Sequence, residues 1–268
     1  MSATALDPTA VQPRAVTTRP PVPLHRLVSV EFRKLVDTRS SRWLLAAVPL
    51  LTLVVVTGVT LWGRDEEVTF NMHTTTNMMP LELVLPLVAV LTVAGEWSQR
   101  SALTTFALVP RRGRVVAAKA TALLIATLAA TVTVVALSAV GTVVAAQVRG
   151  ITAVWDLPLE LLLRLALANV LAVAFGFLVG VAIRSTAPAM VAYLGFMLVL
   201  PIVSSMIAGM WTWWAENGPW VDLSWSAAFV TAPQMTGEQW AQVGTSTLIW
   251  IVVPLLLALR RLGRVEIR

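Results

Sequence analysis

The stretch WLLAAVPLLTLVVVTGVTLW, residues 43–62, carries no charged side chain and is long enough to cross a membrane. A transmembrane α-helix needs about 20 predominantly apolar residues, because the hydrocarbon core of a bilayer is about 30 Å thick. The stretch therefore predicts a membrane-spanning helix. Five further apolar stretches follow, and the six together predict spans at about residues 43–62, 79–97, 115–148, 159–183, 185–210 and 241–259.

The composition of the whole chain supports this interpretation. Of its 268 residues, 57% are hydrophobic and only 13% are charged, and the mean hydropathy is +0.78. A soluble domain carries about 25% charged residues, so this chain cannot cover a water-facing surface. The alternating strands of a membrane β-barrel are not seen in the sequence. We predict an all-α integral membrane protein with six transmembrane helices.

The positive charges predict how the spans are oriented. Seventeen of the twenty Lys and Arg residues fall before the first span, between the second and third, between the fourth and fifth, or after the sixth. Basic residues favour the cytoplasmic side, so we expect both termini to be cytoplasmic. Residues 1–23 are rich in Pro and lack an apolar core, which predicts a disordered cytoplasmic tail and not a signal peptide. The net charge of +6 then needs no nucleic-acid partner.

The segment 24–42 precedes the first span and is predicted to form an amphipathic helix. Its apolar residues recur at spacings of three and four, which places them on one face of a helix. Such a helix is expected to lie along the cytoplasmic surface of the lipid bilayer. The apolar residues of this face are Leu24, Leu27, Val28, Phe32, Leu35 and Val36.

The stretch GEWSQRSALTTFALVPRRGRVVAAK, residues 95–119, is strongly basic and joins the second and third spans. Glu96 and Arg100 are four residues apart, so they can pair on one face of a helix. A small apolar patch around Phe106 follows, and Pro110 ends it. The spacing fits either a short cytoplasmic helix that docks in a groove of a soluble partner or a simple basic loop.

The order of these features resembles the permease subunits of the ABC-2 class of ATP-binding-cassette transporters. The resemblance covers about residues 24–268 and includes a six-span permease domain at 43–268. Its features are an amphipathic elbow helix, an acid at the end of the second span, the motif SALTTFALVPRRGRVVAAK, a long third span, and a partly apolar insert between the fifth and sixth spans.

The resemblance implies a function and a set of partners. Residues 99–110 are expected to be the short coupling helix that contacts a separate ATPase. This chain, a second copy of it or a homologous permease, and two ATPase subunits are expected to form an exporter in the bacterial plasma membrane. ATP and magnesium are expected in the ATPase, and no cofactor in this chain. The implied ATPase-coupling residues are Glu96, Arg100, Leu103, Thr104, Phe106, Leu108, Pro110 and Arg111.

The sequence contains no motif of a known catalytic site. It has no GxxxxGK[ST] phosphate-binding loop and no HExxH zinc motif, and cysteine is absent. Its two histidines are His25, on the predicted surface helix, and His73, which we expect in an external loop. We therefore predict that the chain is not an enzyme and holds no metal.

Several polar residues inside the predicted spans need an explanation, because ionisable groups are costly in lipid. They form either an ion pair at the membrane interface or a polar lining of a translocation path. Gly176 and Gly180 form a GxxxG pattern that indicates helix packing. The candidate polar cluster comprises Glu82, Glu160, Arg164 and Asn169.

The insert 211–240 contains six of the eleven tryptophans, which favour the membrane–water boundary. It predicts short helices on the outer leaflet, either as an anchor or as a cap over an exit path.

Two other functions remain open for the whole chain. One is a non-transporting membrane scaffold or anchor. The other is an ion-coupled secondary transporter, which the absence of a clear internal repeat disfavours.

Overall fold

The computed structural model describes residues 22–98 and 112–264, and the regular elements in these ranges are helices. A 3-10 turn lies at Asp65–Glu67, and a π-helical segment at Leu248–Val252 joins the last two helices. The α-helices are α1 Leu24–Asp37, α2 Arg39–Trp62, α3 Phe70–Ser98, α4 Arg112–Arg149, α5 Leu159–Ile183, α6 Thr186–Met210, α7 Thr212–Val221, α8 Leu223–Val230, α9 Gly237–Thr247 and α10 Val253–Arg264.

Six helical stretches of the described chain are long and apolar enough to cross a membrane. They are α2 to α6 and the run Gly237–Arg261, in which α9, the π-helical segment and α10 are continuous. This confirms the predicted all-α fold with six spans. The second span begins earlier than expected, since α3 starts at Phe70 and not near Met79. Glu82 therefore lies about 18 Å along a helix of 29 residues, near its middle and not near its end.

Helix α3 is the central helix of the bundle. It packs against α2, α4, α5 and α6. In the most apolar 18-residue stretch of α3, 61% of the residues are buried, whereas the corresponding shares are 17% in α2 and 11% in α6. The outer helices expose apolar side chains such as Leu53, Val191 and Ile202, which suits contact with lipid.

The closest helix packing joins α3 to α5 at two glycines. A Cβ atom placed on Gly176 would lie 2.5 Å from the carbonyl oxygen of Pro86. A Cβ atom placed on Gly180 would lie 2.9 Å from the Cβ of Val93. The two helices approach this closely because glycine has no side chain, which confirms that the GxxxG pattern is a packing surface.

The connections between the helices gather at two ends of the bundle. One, here named the α1 end, carries α1, the end of α3, the start of α4 and the turn between α5 and α6. The other, here named the opposite end, carries the connections 63–69, 150–158 and 211–236. An ion pair of 2.6 Å links Asp65, in the first of these connections, to Arg149, the last residue of α4.

The insert between the fifth and sixth spans forms the predicted short helices, α7 and α8. Asp222 caps α8 by accepting hydrogen bonds from the backbone amides of Ser224 and Trp225. Thr236 and Gln239 cap α9 reciprocally, because the side chain of each accepts a hydrogen bond from the backbone amide of the other.

The sixth span contains Pro254, which lacks an amide hydrogen and cannot donate to the helix. The turn that precedes it widens to the π-helical form.

The contact between α3 and α5 generates a stability prediction. Gly176→Ala places a methyl group against the rigid backbone of Pro86, so we expect a loss of about 1–3 kcal/mol. Gly195→Ala is the matched control, because nothing lies within 4 Å of its added Cβ in the middle of α6. Thermal unfolding of both variants in the same detergent measures the difference. Equal unfolding temperatures for the two variants would contradict the packing described here.

Candidate functional site

Four charged side chains meet at the α1 end and form what we name the charge cluster, Glu31, Lys34, Glu96 and Lys119. Lys119 Nζ lies 2.5 Å from Glu31 Oε2 and 2.9 Å from Glu96 Oε1. Lys34 Nζ lies 2.8 Å from Glu31 Oε1 and 2.9 Å from the same Glu96 oxygen. Each ammonium group thus contacts both carboxylates, and three helices are joined.

The sequence places these groups together through the faces of three helices. Val28, Glu31 and Leu35 share the face of α1 that packs on the bundle, and Leu35 is 1% exposed. Glu96 lies in the last turn of α3, and Lys119 lies near the start of α4. The acid on α1 therefore points inward, toward the ends of the two spans that flank residues 99–111.

Among the described residues, the charge cluster holds two positive and two negative groups and is largely removed from water. Glu31 is 4% exposed and Lys119 is 5% exposed, whereas the Lys34 side chain is 38% exposed. Burial lowers the pKa of Lys34, but its hydrogen bonds to Glu31 and Glu96 outweigh that effect and raise the pKa above its ordinary value. Two positive and two negative groups at these distances compensate most of the cost of desolvation.

Other contacts join the flanks of residues 99–111 to the rest of the α1 end. Ser98, the last residue of α3, hydrogen-bonds with the hydroxyl of Thr186 at 3.0 Å and accepts from its amide at 3.1 Å. The guanidinium of Arg184 lies 5.1 Å from the centre of the Trp97 ring. On the other flank, Arg114 donates to the Val22 carbonyl at 2.6 Å. One flank is thus connected to α6 and the other to α1.

Most of the predicted ATPase-coupling residues lie outside the described part of the chain. These are Arg100, Leu103, Thr104, Phe106, Leu108, Pro110 and Arg111, and the predicted pair of Glu96 with Arg100 lies there as well. Glu96 itself is described, and it bonds to Lys34 and Lys119. Sequence reasoning missed these partners. The available signal was Glu31, an acid on the apolar packing face of α1.

A cavity of about 650 Å³ lies among α3, α5, α6 and α8. Its lining is mainly apolar and includes Met78, Phe175, Tyr193 and Phe196. Glu82 contributes the only acidic side chain among the residues that line it. Because α8 forms one wall, the cavity lies in the half of the bundle toward the opposite end.

The predicted polar cluster does not form as one group. Glu160 and Arg164 come together, with 3.4 Å between Oε1 and Nε, but Glu82 faces the cavity instead. Asn169 donates to the Leu165 carbonyl at 3.1 Å and contacts the sulfur of Met78. These four predicted residues therefore occupy three separate environments.

Arg164 does not extend to water as an interfacial arginine would. It is 3% exposed and donates to the carbonyls of Ala232 at 2.7 Å and Pro233 at 3.0 Å. A longer contact of 3.4 Å reaches the Val230 carbonyl at the end of α8. Arg164 thus fixes the chain that follows α8, and with it one wall of the cavity.

The expected position of His73 in an external loop is wrong. His73 lies near the start of α3 and is fully buried, because α3 begins before the stretch that hydropathy alone marks as apolar. Its Nδ1 lies 3.0 Å from the Thr69 carbonyl and 3.3 Å from the Thr142 hydroxyl. One turn later, Asn77 donates to Ser138 at 2.9 Å. These polar contacts join α3 to α4 inside the bundle.

No protein-family model matches the chain, and no curated protein matches it. Within residues 22–98 and 112–264, no three His, Asp or Glu side chains are grouped so that they could hold a metal ion. Its six long apolar helices make the molecule a multi-pass helical membrane protein in class.

The charge cluster generates a second stability prediction. Lys119→Met removes the buried ammonium group that contacts both carboxylates, so we expect a loss of about 3–5 kcal/mol. Lys34→Met is the matched control and should cost much less, because its side chain is 38% exposed and Lys119 still contacts both acids. Denaturant unfolding in mixed micelles measures both. Equal losses would contradict a central role for Lys119.

Adding Glu31→Gln to Lys119→Met provides an internal check. The double variant removes one carboxylate together with the buried ammonium group, so the remaining acid, Glu96, keeps Lys34 as its partner. We expect it to regain part of the stability lost in the single variant. If the stability losses of the two single variants simply add in the double variant, Glu31 and Lys119 do not interact.

Proposed function

We propose that this chain is the membrane-spanning permease subunit of an ABC-2-type transporter, most simply an exporter. In this proposal the α1 end is cytoplasmic, and two copies of the chain act with two separate ATPase subunits that bind ATP and magnesium. The described basic residues support this orientation, since they are concentrated at the α1 end and on α1 itself.

The observation that carries the proposal is the set of contacts around residues 99–111. The α3 flank of this segment is bonded to α6 through Ser98, and both flanks join α1 through the charge cluster. A partner that moves this segment therefore acts on α1, α3, α4 and α6 together. This is the arrangement that a coupling element requires, whichever way the segment itself is folded.

The cavity supports the proposed transport role over a scaffold role. A scaffold needs exposed surfaces for protein contacts but no internal space among its spans. Here about 650 Å³ is open between α3, α5, α6 and α8, within the range of about 300–1,000 Å³ typical of small-molecule sites. Because α3 and α6 carry both the cavity walls and the contacts at the α1 end, movement at that end would change the cavity.

The nearly unburied helices are consistent with an assembly in the bilayer. In the most apolar 18-residue stretches of α6 and α2, only 11% and 17% of the residues are buried within one chain. Their exposed apolar faces are available to lipid and to a second copy of the permease. In the proposed assembly a pair of chains presents two copies of residues 99–111, one to each ATPase subunit.

The proposal predicts that an ATP-binding subunit co-purifies with the chain from its native membrane. Phe106→Asp places a charge in the apolar patch of the proposed coupling helix, so we expect it to reduce the recovered ATPase at least tenfold. Val154→Asp is the matched control, because Val154 is an exposed apolar residue at the opposite end. Quantitative mass spectrometry of the purified complexes measures the recovery.

Two results would contradict the proposal. One is a correctly inserted native chain that recovers no ATPase, which would favour a scaffold or anchor. The other is equal loss with Phe106→Asp and Val154→Asp, which would show that the contact does not depend on residues 99–110.

A further inference from the structure

Glu82 is an unusual residue to find in the wall of a membrane cavity. It lies near the middle of α3 and is half-buried, beside Met78 and Met79. No Lys, Arg or His among the described residues forms an ion pair with its carboxylate. Every other acid discussed above has a basic or hydrogen-bonding partner, so Glu82 is left facing the space of the cavity.

An acid at this depth is costly unless the charge is compensated. Bringing a cation next to the carboxylate within apolar walls gives a stronger attraction than the same pair has in water. The cavity supplies the carboxylate of Glu82, and no described residue supplies a cation next to it. A positively charged ligand can therefore provide the counter-ion.

The remaining walls are suited to the organic part of such a ligand. Phe175 lies at the junction of an aromatic group, with ring centres 4.2 Å from Phe196 and 6.1 Å from Tyr193. Aromatic faces attract cations as well as apolar groups. Met78, Met79 and Met197 add flexible, polarizable side chains that adapt to different shapes.

Several contacts hold these groups in a defined arrangement. The Tyr193 hydroxyl donates to the backbone carbonyl of Glu82 at 3.1 Å, which fixes α6 against α3 beside the carboxylate. On the other side, Arg164 holds the carbonyls that follow α8, and the Ser226 and Ser246 hydroxyls lie 2.6 Å apart between α8 and α9. The cavity is thus a built site and not a gap between loose helices.

We propose that this cavity binds a hydrophobic organic monocation, with Glu82 as the counter-ion and the aromatic group as the apolar wall. A volume of about 650 Å³ accepts a molecule with a few rings. The lining carries one carboxylate and no basic residue, which disfavours anions and multiply charged ligands. That such a cation is the transported cargo rests on the proposed transport function. That the cavity binds such a cation does not depend on transport.

The test uses the purified full-length chain in nanodiscs of zwitterionic phospholipid, without any ATPase. Tetraphenylphosphonium and tetraphenylborate are nearly equal in size and shape and opposite in charge, so together they separate charge recognition from simple partitioning. Equilibrium binding of both ions is measured against empty nanodiscs. We expect saturable binding of the cation and none of the anion above the empty-disc level.

Glu82→Gln keeps the size of the side chain and removes the charge, so we expect it to weaken cation binding about tenfold. Glu216→Gln is the matched control, because Glu216 is exposed at the same end of the bundle and does not line the cavity. Ala172→Phe fills part of the cavity from α5 and should abolish saturable binding even if Glu82→Gln folds poorly.

Equal binding of the two ions, or cation binding unchanged by a correctly folded Glu82→Gln or Ala172→Phe variant, would overturn the proposal. The result is independent of the ATPase experiment. Cation binding without a co-purifying ATPase would support this site and contradict the transporter proposal. A co-purifying ATPase without cation binding would support the transporter proposal and contradict this site.

Discussion

The buried charge cluster is the interaction on which the arrangement of the α1 end depends. Glu31 and Lys119 bring charges from α1 and α4 into contact where little water remains. Neither charge is tolerable there without the other, because an unpaired buried charge is far more costly than a paired one. The pairing therefore selects one position of α1 against α3 and α4. Amphipathicity alone would allow α1 to slide or rotate on a membrane surface.

The two ends of the bundle use their polar groups differently. At the α1 end, opposite charges neutralise each other and join the helices that flank residues 99–111. Toward the opposite end, Arg164 donates to backbone carbonyls, and Glu82 remains without a cationic partner in the described chain. The first arrangement suits transmission of movement, and the second suits binding of a charged molecule. Helix α3 runs through both, with Glu96 near one end and Glu82 near the middle.

The sequence predicts the six spans well, because these follow from local patterns of apolar residues. It also predicts a helix in segment 24–42, where α1 is found, but its position on the membrane surface stays a prediction. It predicts Glu96 as a site residue but not its partners, since Lys34 and Lys119 are distant in sequence and meet it only through tertiary packing. The predicted start of the second span is wrong because the first turns of α3 contain Asn, His and Thr, several of whose polar groups hydrogen-bond inside the bundle. The role of Arg164 was not predictable for the same reason, since its acceptors are backbone carbonyls of a distant loop.

The most direct test of the account is whether α1 and α4 move as one unit. The chain has no cysteine, so spin labels can be placed on Arg33→Cys and Ala120→Cys, both at exposed positions near the charge cluster. Pulsed electron spin resonance then measures the distance between them in nanodiscs. The account predicts one narrow distance that broadens when Lys119→Met is added. A broad or multiple distance in the otherwise native chain, or no change on adding Lys119→Met, would contradict it.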